Sequence, residues 1–400
     1  MRIIQKTTAL LLCALTLLLA IPARAQAPEG GDAPLTSGVP LEASPPVEVS
    51  APSCMLVEAG TGTVIFEKDA DTRREVASVT KLMTLLLCFE DIEAGRVALS
   101  DSITVSPAAA AQKGSQALLD AGAVYPLETL LKSTIIASAN DAACALAEHM
   151  AGTEAAFVER MNARAAELGL TNTRYQNCTG LPMDGQYTTA RDVAALSCAI
   201  SAHEAYHTYA SVWMDTLAHP SGRVTELTNT NRLVRFYEGC DGFKTGSTDA
   251  AKYCLSATAQ KNGMRLIAVV LGAQASQKRF DDARAMLDYG FASYKRMQVV
   301  SAGERLQKQI PVRMGAQESV DVAVGSGLTM LLRIGQEKLL SLEAELPDEI
   351  QAPVKAGDAV GVIRIKLGNQ VIAKLPAVAA TDVRMPSLLE GFFRVFENWR

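Results

Sequence analysis

Ser78-Val79-Thr80-Lys81 runs without a break into Leu82-Met83-Thr84-Leu85-Leu86-Leu87-Cys88-Phe89. The second segment has no Gly or Pro and is rich in strong helix formers, which predicts a buried helix. Ser78 then reads as its opening residue. Ser78 and Lys81 stand three apart, and on a helix that spacing puts a hydroxyl and an amine on one face, within reach of each other. A helix N-terminus also aims unpaired N–H groups at whatever lies over it, a setting that stabilises developing negative charge. Nucleophile, base and part of an anion-stabilising site thus fit within four residues. Ser-x-x-Lys is common by chance and Ser is an ordinary helix cap, so the rest of the chain has to decide.

With 400 residues, 48% of them hydrophobic, the chain can bury a large core and has the length of two or more domains. The formal net charge is −5 and there is no basic block, so nucleic acid is not expected as a partner. Arg2 and Lys6 precede the apolar run from Thr7 to Ile21, and Ala23-Arg24-Ala25 offers small residues at the two positions a signal peptidase inspects. Residues 1–25 are therefore expected to be a signal peptide, since the run is shorter than the ~20 residues a spanning helix needs. Its removal takes away three bases and no acid, moving the charge from −5 to −8, and implies an exported protein. Cys13 leaves with it. The seven remaining cysteines form no Cys-x-x-Cys pair and lie mainly in apolar runs, so free buried thiols are expected.

Residues 26–50 are dense in Pro, Gly, Ala and Ser and read as a flexible linker, with order beginning near Cys54. Met55–Glu58 and Thr63–Glu67, joined by Ala-Gly-Thr-Gly, read as two strands. From Ser78 to about Ala210 the pattern is mostly helical, broken at Ser138-Ala139-Asn140-Asp141, residues that favour turns and caps. Strands are expected to return after Asp241. Tyr253–Ala259 and Arg265–Gly272 form a hairpin about Asn262-Gly263, and Phe280–Met297 reads as helix. The economical arrangement is α/β (α+β): one antiparallel sheet assembled from both ends of a domain at 51–297, with helices on its faces and a helical subdomain beside it. Alternating runs such as Ser319–Val324, and the hairpin of Val362–Leu367 with Val371–Leu375, predict a small all-β domain at 298–384. Ser387-Leu388-Leu389-Glu390 is a capping box opening a segment at 386–400 whose Leu, Phe and Trp residues fall on one side. Such a stripe suits a helix lying in a membrane surface.

Two further stretches carry chemistry. Ser138-Ala139-Asn140 puts a hydroxyl and a carboxamide together in a non-helical bend. Lys244-Thr245-Gly246-Ser247 offers a cation for a carboxylate, a hydroxyl donor, and a glycine at which a peptide backbone can lie against a strand edge. His203-Glu204-Ala205-Tyr206-His207 matches the zinc-protease pattern His-Glu-x-x-His, but nothing marks a third ligand among His219, Glu226 and Glu238. Ser201-Ala202 before it reads as a helix break, so no metal site is expected there, and no cofactor.

In this order and spacing the three motifs resemble those of the penicillin-binding-protein and serine β-lactamase superfamily. Thr179-Gly180-Leu181-Pro182, Thr188–Asp192, Asn229-Thr230-Asn231, Asp241–Gly246 and Leu287–Phe291 are similar to the low-molecular-mass D-alanyl-D-alanine carboxypeptidases, peptidase family S11. The likeness covers nearly the whole chain beyond the leader. It implies that Ser78 is the acylated nucleophile, Lys81 its base, and Ser138 with Asn140 a relay and amide-holding pair. It further implies that Lys244, Thr245, Gly246 and Ser247 line the substrate strand, that the N–H groups of Ser78 and Ser247 form an oxyanion hole, and that Arg279 adds to carboxylate binding. Peptidoglycan stem peptides would be the substrate and β-lactams covalent inhibitors. Thr230, Ser247, Lys252 and Gln186 depart from residues common in the family, which bears on substrate preference rather than on the reaction. A β-lactamase or D-Ala endopeptidase of the same fold, and a catalytically silent wall-binding protein, remain as alternatives. The first needs a deacylating Glu that Glu154, Glu159 and Glu167 do not clearly supply.

Overall fold

The computed structural model describes residues 36–37, 47–390 and 392, so the expected signal peptide and most of the terminal helix lie outside the described residues. The first sheet has six strands. Its order is Thr36–Ser37, β2 (Thr63–Lys68), β1 (Ser53–Glu58), β5 (Met264–Ala273), β4 (Lys252–Lys261) and β3 (Cys240–Thr248). Two early strands thus pair with a late hairpin, as the sequence predicts, and the turn between β4 and β5 holds Asn262 and Gly263 at φ 51° and 74°. Alternate residues of β1 and β5 enter different cores. Met55, Val57, Ile267 and Val269 face one side, and Cys54, Leu56, Leu266 and Val270 the other. Both faces are covered, one by α5 (Ala190–Ser201) and the helical subdomain, the other by α7 (Ser276–Ser293).

The deciding helix, α1, spans Lys81–Glu93, and every residue from Lys81 to Phe89 is buried. Each of its leucines contributes about 2 kcal/mol of burial, enough to anchor α1 in the larger core. The subdomain around it comprises α2 (Leu127–Ile136), α3 (Asn140–Ala151), α4 (Glu154–Glu167) and α6 (Glu204–Ala210).

Four expectations need correction. Ser78 does not open an α-helix: it sits in a 3-10 turn, Ala77–Thr80, that feeds into α1. The stretch 26–50, expected to be a flexible linker, holds ordered segments among its described residues: Thr36–Ser37 pair in parallel with Thr63–Val64, and Val47 and Val49 pack on the second core. Ser50 and Ala51 N–H also donate to the Asp282 carboxylate, at 3.0 and 2.8 Å. Strands return at Met214, in a ribbon of Met214–Ala218 with Val224–Thr228, and a second ribbon joins Ser102–Thr104 to Val124–Pro126. Finally, α7 ends at Ser293, and Tyr294–Val300 is strand β6. There, alternation and pairing with Leu328–Arg333 override helix propensity, and Tyr294 is buried in the second core.

Beyond β6, a six-stranded sheet runs from Arg305 to Ala379 around its own core of Val312, Val322, Ile363, Ile365 and neighbours. At the end of the described chain, Ser387 N–H donates to Glu390 Oε2 (2.7 Å) and Glu390 N–H to Ser387 Oγ (3.4 Å), the expected capping box. Among the described residues no helix is long and apolar enough to cross a membrane. All seven described cysteines are free thiols and buried.

Candidate active site

The Ala77–Thr80 turn lies between α1, the edge strand β3 and the loop before Leu181. Ala77 has φ +48°, an unfavourable value for a residue with a Cβ. Its surroundings hold it there. A Cβ on Gly246 of β3 would stand 2.2 Å from Val76 O and 3.0 Å from Ser78 N, and one on Gly180 would stand 1.9 Å from Ala77 O. Two glycines therefore clamp the turn from opposite sides. Gly246 is needed for this packing, a different reason from the clearance for a substrate backbone that the sequence suggests.

Lys81 is fully buried, and its Nζ lies 3.0 Å from Ser78 Oγ. It also donates to Asn140 Oδ1 at 2.5 Å and to the carbonyl of Thr179 at 2.7 Å. Burial lowers its pKa to about 7, against a smaller upward pull from Cys178 and Asp141. Asn140 is itself oriented, donating from Nδ2 to Lys113 O at 2.5 Å. Asp141, buried beside it, accepts from the N–H groups of Ala117 (2.9 Å) and Leu119 (3.0 Å), tying the 113–119 loop to α3. Ser138 stands at the bend with φ +60°, and its Oγ is buried without a hydrogen-bond partner.

Across the cleft, Lys244 is fully buried, and among the described residues its one hydrogen-bond acceptor is Thr245 O at 3.3 Å. Burial, and then the charges of Lys81 and Arg279, hold it well below the usual lysine range. Thr245 Oγ1 donates to Thr230 Oγ1 at 2.7 Å, and Ser247 is exposed at the cleft mouth. Among the described residues strand β3 pairs with β4 alone and ends the sheet, with no strand on its other edge. Arg279 lies on α7 and donates from Nη1 to Gly246 O (3.0 Å) and Cys254 O (3.3 Å), fixing β3 to β4 from behind. Lys252 holds φ +56°, which is why glycine suits that position.

The three motifs thus meet in one cleft. Sequence reasoning missed the Thr179 carbonyl as a partner of Lys81, together with what places it. Asn177 Oδ1 accepts from Gly180 N–H (2.7 Å) and Thr179 N–H (3.2 Å), while its Nδ2 donates to Leu181 O (2.8 Å). An Asn three residues before a Gly at φ +81° was the available signal. The His-Glu-x-x-His pattern dissolves: His203 Nδ1 meets Glu93 at 2.7 Å, whereas His207 Nδ1 faces Asp241 at 3.4 Å.

Residues 40–275 match the family model described as D-alanyl-D-alanine carboxypeptidase, Peptidase S11, and 294–385 match the C-terminal domain of penicillin-binding protein 5. The chain belongs to the S11 D-alanyl-D-alanine carboxypeptidases. This carboxypeptidase is 35% identical over 350 residues to D-alanyl-D-alanine carboxypeptidase DacF of Bacillus subtilis, covering 87% of this chain and 90% of that one. Penicillin-binding protein 5 of Haemophilus influenzae superposes with a TM-score of 0.74 at 28% identity, over 86% of this chain and 99% of that one. A mutant of the Streptomyces K15 DD-transpeptidase gives 0.57 at 31% identity, covering 61% of this chain and 99% of that one. The carboxypeptidase therefore has the penicillin-binding fold with a separate all-β C-terminal domain.

Proposed function

We propose that this carboxypeptidase removes the terminal D-Ala of peptidoglycan stem pentapeptides through an acyl-enzyme on Ser78. The carrying observation is the setting of Lys81 Nζ. A neutral amine has two N–H bonds and one lone pair. With the N–H bonds spent on Asn140 Oδ1 and Thr179 O, the lone pair is left for the Ser78 hydroxyl proton. Ser78 Oγ then attacks the carbonyl between the two D-Ala residues, and the N–H groups of Ser78 and Ser247 stabilise the oxyanion. The proton passes from Lys81 by way of Ser138 to the leaving amine, and the C–N bond breaks. Water releases the shortened peptide from Ser78.

Lys244 is a buried amine with one weak acceptor, and a substrate carboxylate would favour the ammonium form that burial and the neighbouring cations disfavour. Thr245 and Thr230 add hydroxyls at the same end, and the open edge of β3 pairs with the extended peptide. Arg279 acts as a positioning residue, holding the Gly246 carbonyl and adding positive potential beneath the strand. β-Lactams acylate the same serine. The reaction places the enzyme outside the cytoplasm, with the segment from Ser387 lying on the membrane surface.

Release of D-Ala from a pentapeptide ending in D-Ala-D-Ala tests this reading directly. Ser78→Ala is expected to abolish release and covalent labelling by fluorescent penicillin. Labelling of that variant at an unchanged rate would remove Ser78 as nucleophile.

A further inference from the structure

Behind Lys81, outside the cleft, two thiols and a carboxylate converge from three separate elements. The Sγ atoms of Cys144 and Cys178 and a carboxylate oxygen of Glu154 all lie within 4.8 Å of one another. Cys144 is on α3, Glu154 opens α4, and Cys178 is in the loop that carries Thr179. Both thiols are essentially inaccessible to solvent. Glu154 Oε1 accepts from the Cys178 thiol and from its backbone N–H, both at 3.1 Å. Glu148, one turn after Cys144, approaches its Sγ at 3.8 Å.

The geometry points to a binding site for a soft divalent cation such as Zn²⁺, held by Cys144, Cys178 and Glu154. Zinc–sulfur and zinc–oxygen bonds of about 2.3 and 2.1 Å in a tetrahedron imply ligand separations of roughly 3.5–3.8 Å. The cluster needs to close by at most about 1.0–1.3 Å to reach them. Two thiolates select a soft or borderline metal over Mg²⁺ or Ca²⁺. On binding, two S–H bonds break, their protons leave to solvent, and two S–metal bonds form. No electrons are exchanged. Glu148 stands near enough to take the fourth position by a rotamer change.

Its place gives the site a consequence. Cys144 is four residues after Asn140 on the same helix face, and Cys178 immediately precedes Thr179. Each thiol is therefore attached to one of the two acceptors that fix Lys81 Nζ. A bound ion cross-links α3 to the 177–181 loop and so stiffens the seat of the base.

The test uses the full exported chain, purified under reductant, stripped with a chelator and dialysed against Zn²⁺ or Cd²⁺. One ion per chain is expected by elemental analysis, with a thiolate-to-cadmium charge-transfer band and slower amide exchange across residues 177–181. Cys144→Ser and Cys178→Ser should each lose the ion, Glu154→Gln should weaken its retention, and Cys240→Ser, remote from the cluster, should keep it. Penicillin labelling reports that each variant is folded. If the cysteine variants do not label, Glu154→Gln carries the test. Absence of stoichiometric binding, retention of the ion by Glu154→Gln and both cysteine variants, or a Cys144–Cys178 disulfide as the isolated form with no metal uptake after reduction overturns the proposal. Metal content is read independently of D-Ala release, so failure here leaves the proposed reaction standing, and the converse holds.

Discussion

At the scale of single residues the proposed reaction turns on an amine, Lys81, held in its less usual protonation state. Burial lowers Lys81 to about 7, so the neutral base predominates above that pH and the inert ammonium below it. Acylation by penicillin is therefore expected to rise with pH through about 7 and then level off, falling about tenfold per unit on the acid side. Stopped-flow labelling across this range checks it. A rate flat from about pH 5 to 8 would mean that Lys81 is not the base. Lys81→Arg keeps the charge, cannot lose its proton, and should cost at least about 10²–10⁴ in acylation rate while remaining folded. Ser78 and Lys81 were legible because a three-residue spacing on one turn is a local property. The Thr179 carbonyl was not, since a backbone acceptor 98 positions away leaves no mark on side-chain identity.

At the scale of elements, the catalytic turn is defined by what presses on it. Val76 O and Ala77 O occupy the space where side chains on Gly246 and Gly180 would begin. Gly246→Ala and Gly180→Ala must each displace the Ala77–Thr80 turn, at a cost of about 1–3 kcal/mol for the overpacking. A shift of about 1 Å in Ser78 costs about 100-fold in rate. Both variants are expected to fold with a lowered Tm and to label slowly with penicillin. Gly327→Ala, where the nearest atom is 3.4 Å away, should do neither. Wild-type acylation rates in both clamp variants would show that the turn does not depend on them. Long periodic elements such as α1 and the β4–β5 hairpin were readable from the sequence because patterning and turn chemistry agree there. The two short ribbons were not, being half-exposed and stabilised by neighbours far along the chain. The end of α7 was misjudged for a related reason: Tyr294 leaves the helix because it pairs with Arg333, 39 positions later.

At the scale of the molecule, the cores decide what depends on what. The two cores around the first sheet support the elements that carry the cleft, through residues such as Val79, Leu82, Ala139 and Phe243, whereas the core of the C-terminal sheet shares no buried residue with them among the described residues. The link between the two parts is narrow. Tyr294 and Leu331 pack into the second core, Ile334 N–H donates to Ser293 O at 3.0 Å, and Lys295 pairs with Glu337 at 2.8 Å. That ion pair is partly exposed and worth about 0–1 kcal/mol. The Streptomyces structure is matched over 99% of its length by 61% of this chain. A chain ending after Lys295 keeps Tyr294 and loses Leu331, the Ile334–Ser293 hydrogen bond, the Lys295–Glu337 pair, the contacts of Arg333 with Tyr289 and Tyr294, and the packing of Arg296 on Gly60. It is expected to fold with a modestly lowered Tm and to acylate with penicillin at the rate of the full chain, because among the described residues none past Lys295 is hydrogen-bonded to Ser78, Lys81, Ser138 or Lys244. Far-UV circular dichroism and labelling kinetics on the same sample decide it. A folded but unlabelled product would mean that the C-terminal domain shapes the cleft through the α7–β6 junction, with Arg279, on the same helix, as the first residue to test for that coupling.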